Sequence, residues 1–472
     1  MRVAGAERRG GARSLWLEQA LAEAPAAEPA PLPGRAEVCV VGGGYTGLWT
    51  ALHLKRIRPE AEVVLIEADV CGGGASGRNG GFVMSSWSKF GSLCKLASVG
   101  EALRYCRAAE AAIGAIGEFC EERGIAAEFS RHGWLWAATN ETQVDAWATT
   151  LAAVEAAGAA PFEPLDRDEV RRRSGSDAHL AGVFEACCAT VHPARLARGL
   201  AGAAREAGVA VHEGTALRSL AGDGPVRLET TRGSIACDRV VLATNAWAAA
   251  VPALRRAIVV VSSDVIATEP VPELLEGIGW KPGLAISDSR RMVNYYQRRE
   301  DGTVVFGKGG GGLSFAGGVP AWMHGPSGRR RQAETHLRRL YPRLGAATVR
   351  ASWCGPIDYS VTGLPFVGSL PGRERVLVGA GFSGNGVGPS YLAGKGLAEL
   401  LCGAEPEDFP RAMRRPPVAK FPPEPLRYLG GRLVRDAIER KEDAEDGGRR
   451  PPRLVAAVAG LDPTGGLVDS GG

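Results

Sequence analysis

The run Val38 to Val41 is continuous, apolar and largely β-branched, as in a strand buried on both faces of a parallel sheet. A helix-length stretch follows it, and EVVLIEAD, ending at Asp69, predicts a second strand. Before them, SLWLEQALAEA (14–24) predicts a short capped helix and PAAEPAPLPG a linker. Helical periodicity occupies 99–123 and 141–158, with a strand, GWLWAAT, between them. Another helix starts near Pro193 and leads to a strand ending near Thr215. VRLETT and SIACD then predict two short strands, and RVVLATNAW a buried one. From about 255 to 350 the character changes, with AIVVVSSDVIATEP and MVNYYQRREDGTVVFGK predicting antiparallel strands. The second of these is a hairpin turning at Glu300–Gly302, and a helix over 326–341 follows it. VRASWCGPIDYSVTGLPFVG comes next, then RVLVGAGFSGNGVGPSYLAGKGLAELLCG as strand, glycine turn and helix. From about 404 proline and charge accumulate: KEDAEDGGRRPP predicts a loose segment and GLVDSGG a frayed tail. No repeat of fixed period is present.

At 472 residues the chain exceeds one ordinary core, so two domains, sequential or intertwined, are expected. The composition, 45% hydrophobic and 23% charged, is that of a globular protein. A net charge of +4 spread along the chain argues against a nucleic-acid or membrane-surface partner. The basic runs at 171–173 and 328–332 read as solvated helix faces. Ten cysteines without C-x-x-C spacing, including the vicinal pair Cys187–Cys188, suit buried free thiols in a reducing compartment. Seven separated histidines offer no metal site. The basic N-terminus lacks an apolar core, and no apolar run reaches the ~18 residues of a spanning helix. A soluble, cytoplasmic protein is the expectation.

The chemistry is carried by glycines. Gly42, Gly44 and Gly47 form G-x-G-x-x-G directly after the first strand, with Tyr45 and Thr46 inside the turn. The first glycine permits the tight turn, the second lets backbone approach a pyrophosphate, and the third lets helix and strand pack closely. The helix that follows points its positive end at that pyrophosphate. Glu67 ends the second strand beside Ala68, where a carboxylate accepts from a ribose hydroxyl. Strand, triplet, helix, strand and acid in register predict a bound dinucleotide. Gly72 to Gly81 then holds six glycines, which can bring backbone against a flat ring, with Ser76, Arg78 and Asn79 as nearby donors. A second triplet, Gly379, Gly381 and Gly384, is followed by no strand with an acidic end. It therefore reads as a helix N-terminus beside the cofactor, not as a second nucleotide unit.

Together VVGGGYTGLWTALHL, GGGASGRNGGFV, VHPARLARGL, VVLATNAW, GLPFVG and GAGFSGNGVGPSYLAGKGLAEL make the chain resemble a known family. It is similar to the D-amino-acid oxidase-like FAD-dependent oxidoreductases, which include glycine and sarcosine oxidases, and within them to the γ-glutamylputrescine oxidase branch. The resemblance covers about residues 14 to 435. It implies an α/β (α+β) fold: a Rossmann-like FAD-binding domain of glutathione-reductase type with an interleaved antiparallel-sheet substrate domain. Residues 1–35 are then an N-terminal helix and linker, and 36–100, 190–255 and 351–402 the discontinuous FAD-binding domain. Residues 101–189 and 256–350 form the substrate-binding cap, and 403–472 a partly disordered extension.

The resemblance places Ser76, Gly77, Arg78, Asn79 and Gly80 by the flavin ring and ribityl-phosphate chain. It places Gly381, Phe382, Ser383, Gly384, Asn385 and Gly386 at the pyrimidine edge, where a helix dipole stabilises developing negative charge. Thr244, Asn245 and Trp247 fall near the adenosine–pyrophosphate region, and Thr215–Ala216 near adenine. Gly355 adjoins the ring beside Cys354, whose offset from the cysteine that tethers flavin in sarcosine oxidases argues for an inert thiol. Asp358 and Thr362 orient backbone beneath the ring.

For substrate and catalysis the candidates are Arg78, Tyr296, Arg298 and Lys308. Strand alternation puts Asn294, Tyr296 and Arg298 on one face of the hairpin, with Tyr295 and Gln297 on the other. The implied activity is oxidation of the C–N bond of a small amine or amino acid by hydride transfer to flavin N5. The imine hydrolyses, and O2 reoxidises the flavin to give H2O2. Alternatives are an amine dehydrogenase using a quinone or protein acceptor, a nicotinamide-dependent enzyme, and a non-enzymatic flavoprotein. Nothing in the sequence fixes the substrate or the oligomeric state.

Overall fold

The computed structural model describes residues 12–25, 30–222 and 224–462, so the tail GLVDSGG lies outside the described residues. Its strands form two large sheets. The first runs, in spatial order, Phe366–Leu370, Arg373–Ala380, Gly233–Leu242, Arg35–Val41, Val63–Ile66 and Ala210–His212. The four pairings from Arg373–Ala380 across to Ala210–His212 are all parallel, as strands buried on both faces require. Arg35–Val41 lies in the middle, so the Gly42–Gly47 turn opens beyond the carboxyl end of a central strand, where open α/β sheets bind ligands. Leu217–Ala221 and Val226–Thr230 fold back antiparallel beside Gly233–Leu242.

Three helices, Tyr45–Ile57, Pro193–Glu206 and Val387–Leu401, bury their apolar faces in one core with this sheet. The helices that follow the two glycine turns touch each other closely. A Cβ on Gly394 would stand 2.4 Å from Trp49 Cβ. That approach brings both glycine turns to one place.

The second sheet runs Val349–Ser360, Ile258–Thr268, Val304–Lys308, Asn294–Arg298, Ala285–Asp288, Trp134–Ala138, Ala181–Glu185 and Phe162–Leu165. Its pairings are antiparallel except for Ala285–Asp288 with Trp134–Ala138. The helix Arg330–Leu340 packs Ala333, Leu337 and Leu340 onto one face, around Tyr296 and Phe306. The other face looks toward the first sheet.

Several boundaries differ from the sequence expectation. Val349–Ser360 pairs along Ile258–Thr268 from Ser360 to Val349, so residues 351–360, the start of the segment 351–402, are a strand of the second sheet. SIACD and RVVL are one strand, Gly233–Leu242, because the charged pair Asp238–Arg239 interrupts the apolar pattern without breaking the backbone. The strand toward Thr215 stops at His212. The helix expected at 141–158 is a 3-10 turn, Glu141–Gln143, and a helix, Ala148–Ala156, separated by Asp145 at φ 62°. The helix expected from 326 begins at Arg330, after Pro326 and Gly328.

KEDAED is not loose. It ends a helix, Leu426–Asp446, whose charges pair along the helix at Lys441–Glu445 (2.7 Å) and Arg435–Glu439 (3.2 Å). Further pairs tie Glu442 and Asp446 to the buried Arg290, and Asp446 to Arg339. A shorter helix, Arg453–Ala459, follows it. No helix of the described residues is long and apolar enough to cross a membrane. All ten cysteines are free thiols.

Candidate active site

Between the two sheets lies a cavity of about 310 Å³, lined from both. The first wall is mostly backbone. Gly42 has φ +114°, and a Cβ there would lie 2.4 Å from the Ala243 carbonyl oxygen. A Cβ on Gly47 would lie 2.0 Å from the Gly42 carbonyl oxygen, so the third glycine serves packing and stands behind the lining. Gly44, Tyr45 and Thr46 line the cavity, as do Glu67 and Ala68. Glu67 holds the turn: one carboxylate oxygen accepts from Gly43 N (2.8 Å), the other from Asp69 N (2.9 Å). Thr215 lines the cavity, whereas the backbone of Ala216 is spent on Thr231.

The second glycine segment is held by side chains from every direction. Ser76 Oγ accepts from Tyr45 N at 2.9 Å. Asn79 donates to the carbonyls of Ala75 and Ser76 and accepts from Gly81 N. Arg78, buried, donates to the carbonyls of Gly73, Cys354 and Ala12. Trp16 Nε1 donates to Asn79 O and Trp353 Nε1 to Arg78 O. Ser76, Arg78, Asn79 and Gly80 line the cavity; Gly77 does not, since a Cβ there would meet the Gly72 carbonyl at 2.3 Å.

The far end is tied together by Asp358. It is fully buried, accepts from Gly381 N (2.6 Å) and from Asn245 Nδ2 (3.1 Å), and its backbone carbonyl accepts from Ser383 N. Burial pushes its carboxyl up to about 7. Asn245 and Ser383 take positive φ, 47° and 53°, a conformation that side chains seldom adopt away from functional sites. Asn245 Oδ1 is buried with no hydrogen-bond partner among the described residues. Thr244, Asn245, Trp247 and Gly355 line the cavity with Phe382, Ser383, Gly384, Asn385 and Gly386, while Gly381 sits behind them against Ser360 and Phe366. Thr362 turns instead to Ser360 and Leu364. Cys354 also faces elsewhere, its Sγ 3.1 Å from Asp264 Oδ1, and burial pushes its thiol up to about 12.

The substrate candidates need correction. Alternation along Asn294–Arg298 is as expected, but the cavity lies on the opposite face. Tyr296 is fully buried under the helix Arg330–Leu340, stacked on Phe306 and hydrogen-bonded to His179 Nε2. Arg298 donates to Trp280 O. Lys308 is buried beside Asp288, Arg290 and Glu442 and donates to Met292 O at 3.4 Å; burial lowers its ammonium to about 8. None of the three lines the cavity. Both faces of this sheet are covered, so polarity does not mark the cavity side.

Tyr295 is the residue that reaches in, with its hydroxyl 2.8 Å from Ser263 Oγ. Two glycines make room for its ring: a Cβ on Gly307 would fall 2.0 Å from Tyr295 Cζ, and one on Gly80 2.6 Å from Cε2. Gln297, on the same face, donates to Gly80 O. Trp134, Ser287, Arg291 and Gly309 also line this side and carried no motif in the sequence. The sequence grouped no metal ligands; the structure gathers Glu185, Cys187 and Cys188 in one buried cluster, with Cys187 Sγ donating to Glu185.

This donor set suits a dinucleotide: glycine turns that admit no side chain, a carboxylate ending the second strand, and an unpartnered buried amide oxygen at the far end. The comparisons agree. Over 409 residues the chain is 30% identical to the gamma-glutamylputrescine oxidoreductase of Escherichia coli K12, covering 84% of this chain and 89% of that one. It is 28% identical to the glycine oxidase of Geobacillus kaustophilus, over 78% of this chain and 93% of that one. The crystal structure of glycine oxidase from Geobacillus kaustophilus superposes with TM-score 0.65 at 24% identity, over 79% of this chain and 96% of that one. That of L-proline dehydrogenase from P. horikoshii gives 0.65 at 20% identity, over 81% and 100%. Both show the same fold. The FAD dependent oxidoreductase (DAO) family is matched over residues 37–400, and the chain belongs to that family.

Proposed function

We propose that the protein oxidises the C–N bond of a small amine or amino acid and passes the electrons through FAD to O2. The names of its relatives, a gamma-glutamylputrescine oxidoreductase and a glycine oxidase, support that substrate class. The observation that carries the reading is the shared cavity, where both glycine turns meet the face of the second sheet that presents Tyr295. Bound FAD would supply a two-electron acceptor for the carbon next to nitrogen.

The chain's own residues would do the rest. Gly42, Gly44 and Tyr45–Thr46 offer the turn and helix N-terminus for the pyrophosphate, and Glu67 the ribose acceptor. Ser76, Arg78, Asn79, Gly80 and Gly355 form walls that side chains keep rigid. The free amides before Val387–Leu401 favour negative charge in the space they face. The Tyr295 hydroxyl, oriented by Ser263, positions a polar substrate group. No histidine or lysine is among the lining residues, which fits an amine that arrives neutral and needs no base.

The substrate loses two electrons and two protons, and water hydrolyses the resulting imine to a carbonyl compound and an amine or ammonia. O2 takes up two electrons and two protons as H2O2. The test is the visible spectrum of the purified protein, followed anaerobically against primary, secondary and amino-acid amines. Bleaching by one of them, with peroxide formed when air is admitted, is the expected result. Bleaching without peroxide would move the acceptor to a quinone or protein, and a yellow protein that no amine bleaches would end the amine reading.

A further inference from the structure

Four consecutive glycines, Gly309 to Gly312, follow the strand Val304–Lys308, and the first two line the cavity along with Tyr295 and Val293. The loop fits because it has no side chains: Gly310 takes φ +69°, and a Cβ on Gly311 would lie 2.1 Å from Ser262 Oγ. Gly309 N donates to Val293 O (2.8 Å), Gly311 N to Ser262 O (2.9 Å) and Gly312 N to Ser262 Oγ (3.0 Å). Gly310 N donates to nothing among the described residues.

The carbonyls of the loop are held by two guanidiniums. Arg329 Nη1 donates to Gly309 O (3.3 Å), and Arg435 Nε donates to both Gly310 O (2.9 Å) and Gly311 O (3.0 Å). Glu439 joins the two arginines, with Oε1 3.0 Å from Arg329 Nη2 and Oε2 3.2 Å from Arg435 Nη2. Gln332 donates to Glu439 Oε1 (2.7 Å) and accepts from Arg329 Nε (2.8 Å). Arg435 Nη1 pairs with Asp436 (2.7 Å), and Arg329 Nη1 lies 3.6 Å from Asp264 Oδ2. One carboxylate thus fixes three consecutive carbonyls through two arginines. Arg435 and Glu439 belong to the helix Leu426–Asp446, beyond the family match at 37–400.

The peptide joining Gly309 and Gly310 is trans, so its N–H points opposite to the carbonyl that Arg329 holds. A guanidinium on that carbonyl also polarises the peptide and strengthens its N–H as a donor. We propose that Glu439, acting through Arg329 and Arg435, is a positioning residue that turns the Gly310 amide toward the substrate as a donor for one of its oxygen atoms. The inference rests on the amine reading for the identity of the substrate, but its test needs no amine.

The probe is sulfite, an oxyanion whose sulfur lone pair forms a bond to N5 of oxidised flavin and bleaches it reversibly. Titrated into the FAD-loaded protein, it reports the donors that face its oxygens. Removing a negative charge would by itself tighten an anion, whereas loosening the clamp should weaken it. Glu439→Ala should therefore raise the sulfite dissociation constant about tenfold, the loss of one charge-polarised hydrogen bond. Arg435→Lys keeps the charge but loses the fork between loop and Glu439, and should raise it in the same direction. Leu433→Ser, on the exposed face of the same helix, should leave it unchanged. Hydrogen exchange read by mass spectrometry should quicken at 309–312 in the first two variants and not along Asn294–Arg298. Flavin absorbance and melting temperature identify variants that fold. Sulfite bound equally well or more tightly by Glu439→Ala, no sulfite adduct in the parent, or unchanged exchange at 309–312 would each overturn the proposal. An amine panel that bleaches nothing, with sulfite and exchange behaving as expected, would fail the amine reading and leave the clamp standing.

Discussion

The two walls of the cavity are built on opposite principles. On the first sheet, Gly42, Gly44 and Gly47 shape the wall by having no side chain: a Cβ on any of them would stand 2.0–2.9 Å from a neighbouring oxygen. On the second sheet the wall is made of side chains, Tyr295, Ser263 and Ser287, chosen by which face of a strand they occupy. A required absence can be read from a sequence, because few residues satisfy it. A required presence depends on a parity that a one-residue slip reverses.

The adjacent pair Tyr295 and Tyr296 breaks or sharpens that comparison most directly. Tyr296→Ala empties a site walled by Phe306, Trp280 and Tyr341 and takes the partner from His179 Nε2, whose Nδ1 keeps Ser174. It should cost about 3–5 kcal/mol of unfolding free energy, read by denaturant melts, with turnover per bound flavin little changed. Tyr295→Phe should cost under about 1 kcal/mol, since its hydroxyl bond to Ser263 is partly exposed, yet change turnover or KM severalfold. Reversed effects would put the cavity on the other face.

Gly47→Ala probes the first wall. The added methyl collides with the Gly42 carbonyl at 2.0 Å, and Gly42 is anchored to the sheet by its amide, which donates to Ile66 O (2.8 Å). A loss of about 1–3 kcal/mol, the usual range for overpacking, and nearly colourless purified protein are expected. Normal flavin content would show that this wall is more pliable than the geometry allows.

This contrast also explains what was legible. The strand–turn–helix units at Val38–Ile57 and Arg373–Leu401, the six-glycine segment and the hairpin at Glu300–Gly302 were all visible, because each rests on local chemistry. The placement of Tyr296, Arg298 and Lys308 was not. They are polar residues on a face that another layer covers, paired with His179, Trp280 O and the Asp288–Glu442 cluster from distant segments. KEDAED looked like a solvated run for the same reason: its partners Arg290 and Arg339 lie far away in sequence.

Asp358 sits where the walls meet and gives a pH-dependent test. Its ordinary value is 3.8, and burial raises it to about 7. The folded state therefore holds this proton more tightly than the unfolded state, so its contribution to stability falls as pH rises from 3.8 to 7. Asp358→Asn keeps an acceptor for Gly381 N and puts an amide nitrogen where Asn245 Nδ2 now donates, which Asn245 accommodates by turning its own amide over so that Oδ1 accepts. Relative to the parent, the melting temperature of the variant should climb across that window. A constant difference would mean that the carboxyl titrates normally.

The smallest expected effect comes from outside both sheets. The helix Leu15–Glu23 holds the six-glycine segment by Trp16 Nε1 on Asn79 O (3.0 Å), and by Ser14 Oγ on Gly77 O. Trp353 mirrors it from the second sheet, donating to Arg78 O. Trp16→Phe keeps an aromatic ring against His192 and Trp353 and removes the indole donor. The lost bond is worth about 1 kcal/mol. If opening of this segment limits cofactor release, that loss should speed FAD dissociation about fivefold, with a melting shift of only a few degrees. Dissociation unchanged despite the melting shift would show that the helix merely packs. Faster dissociation would show that a wall built from absent side chains still depends on an indole from the N-terminal helix to stay closed.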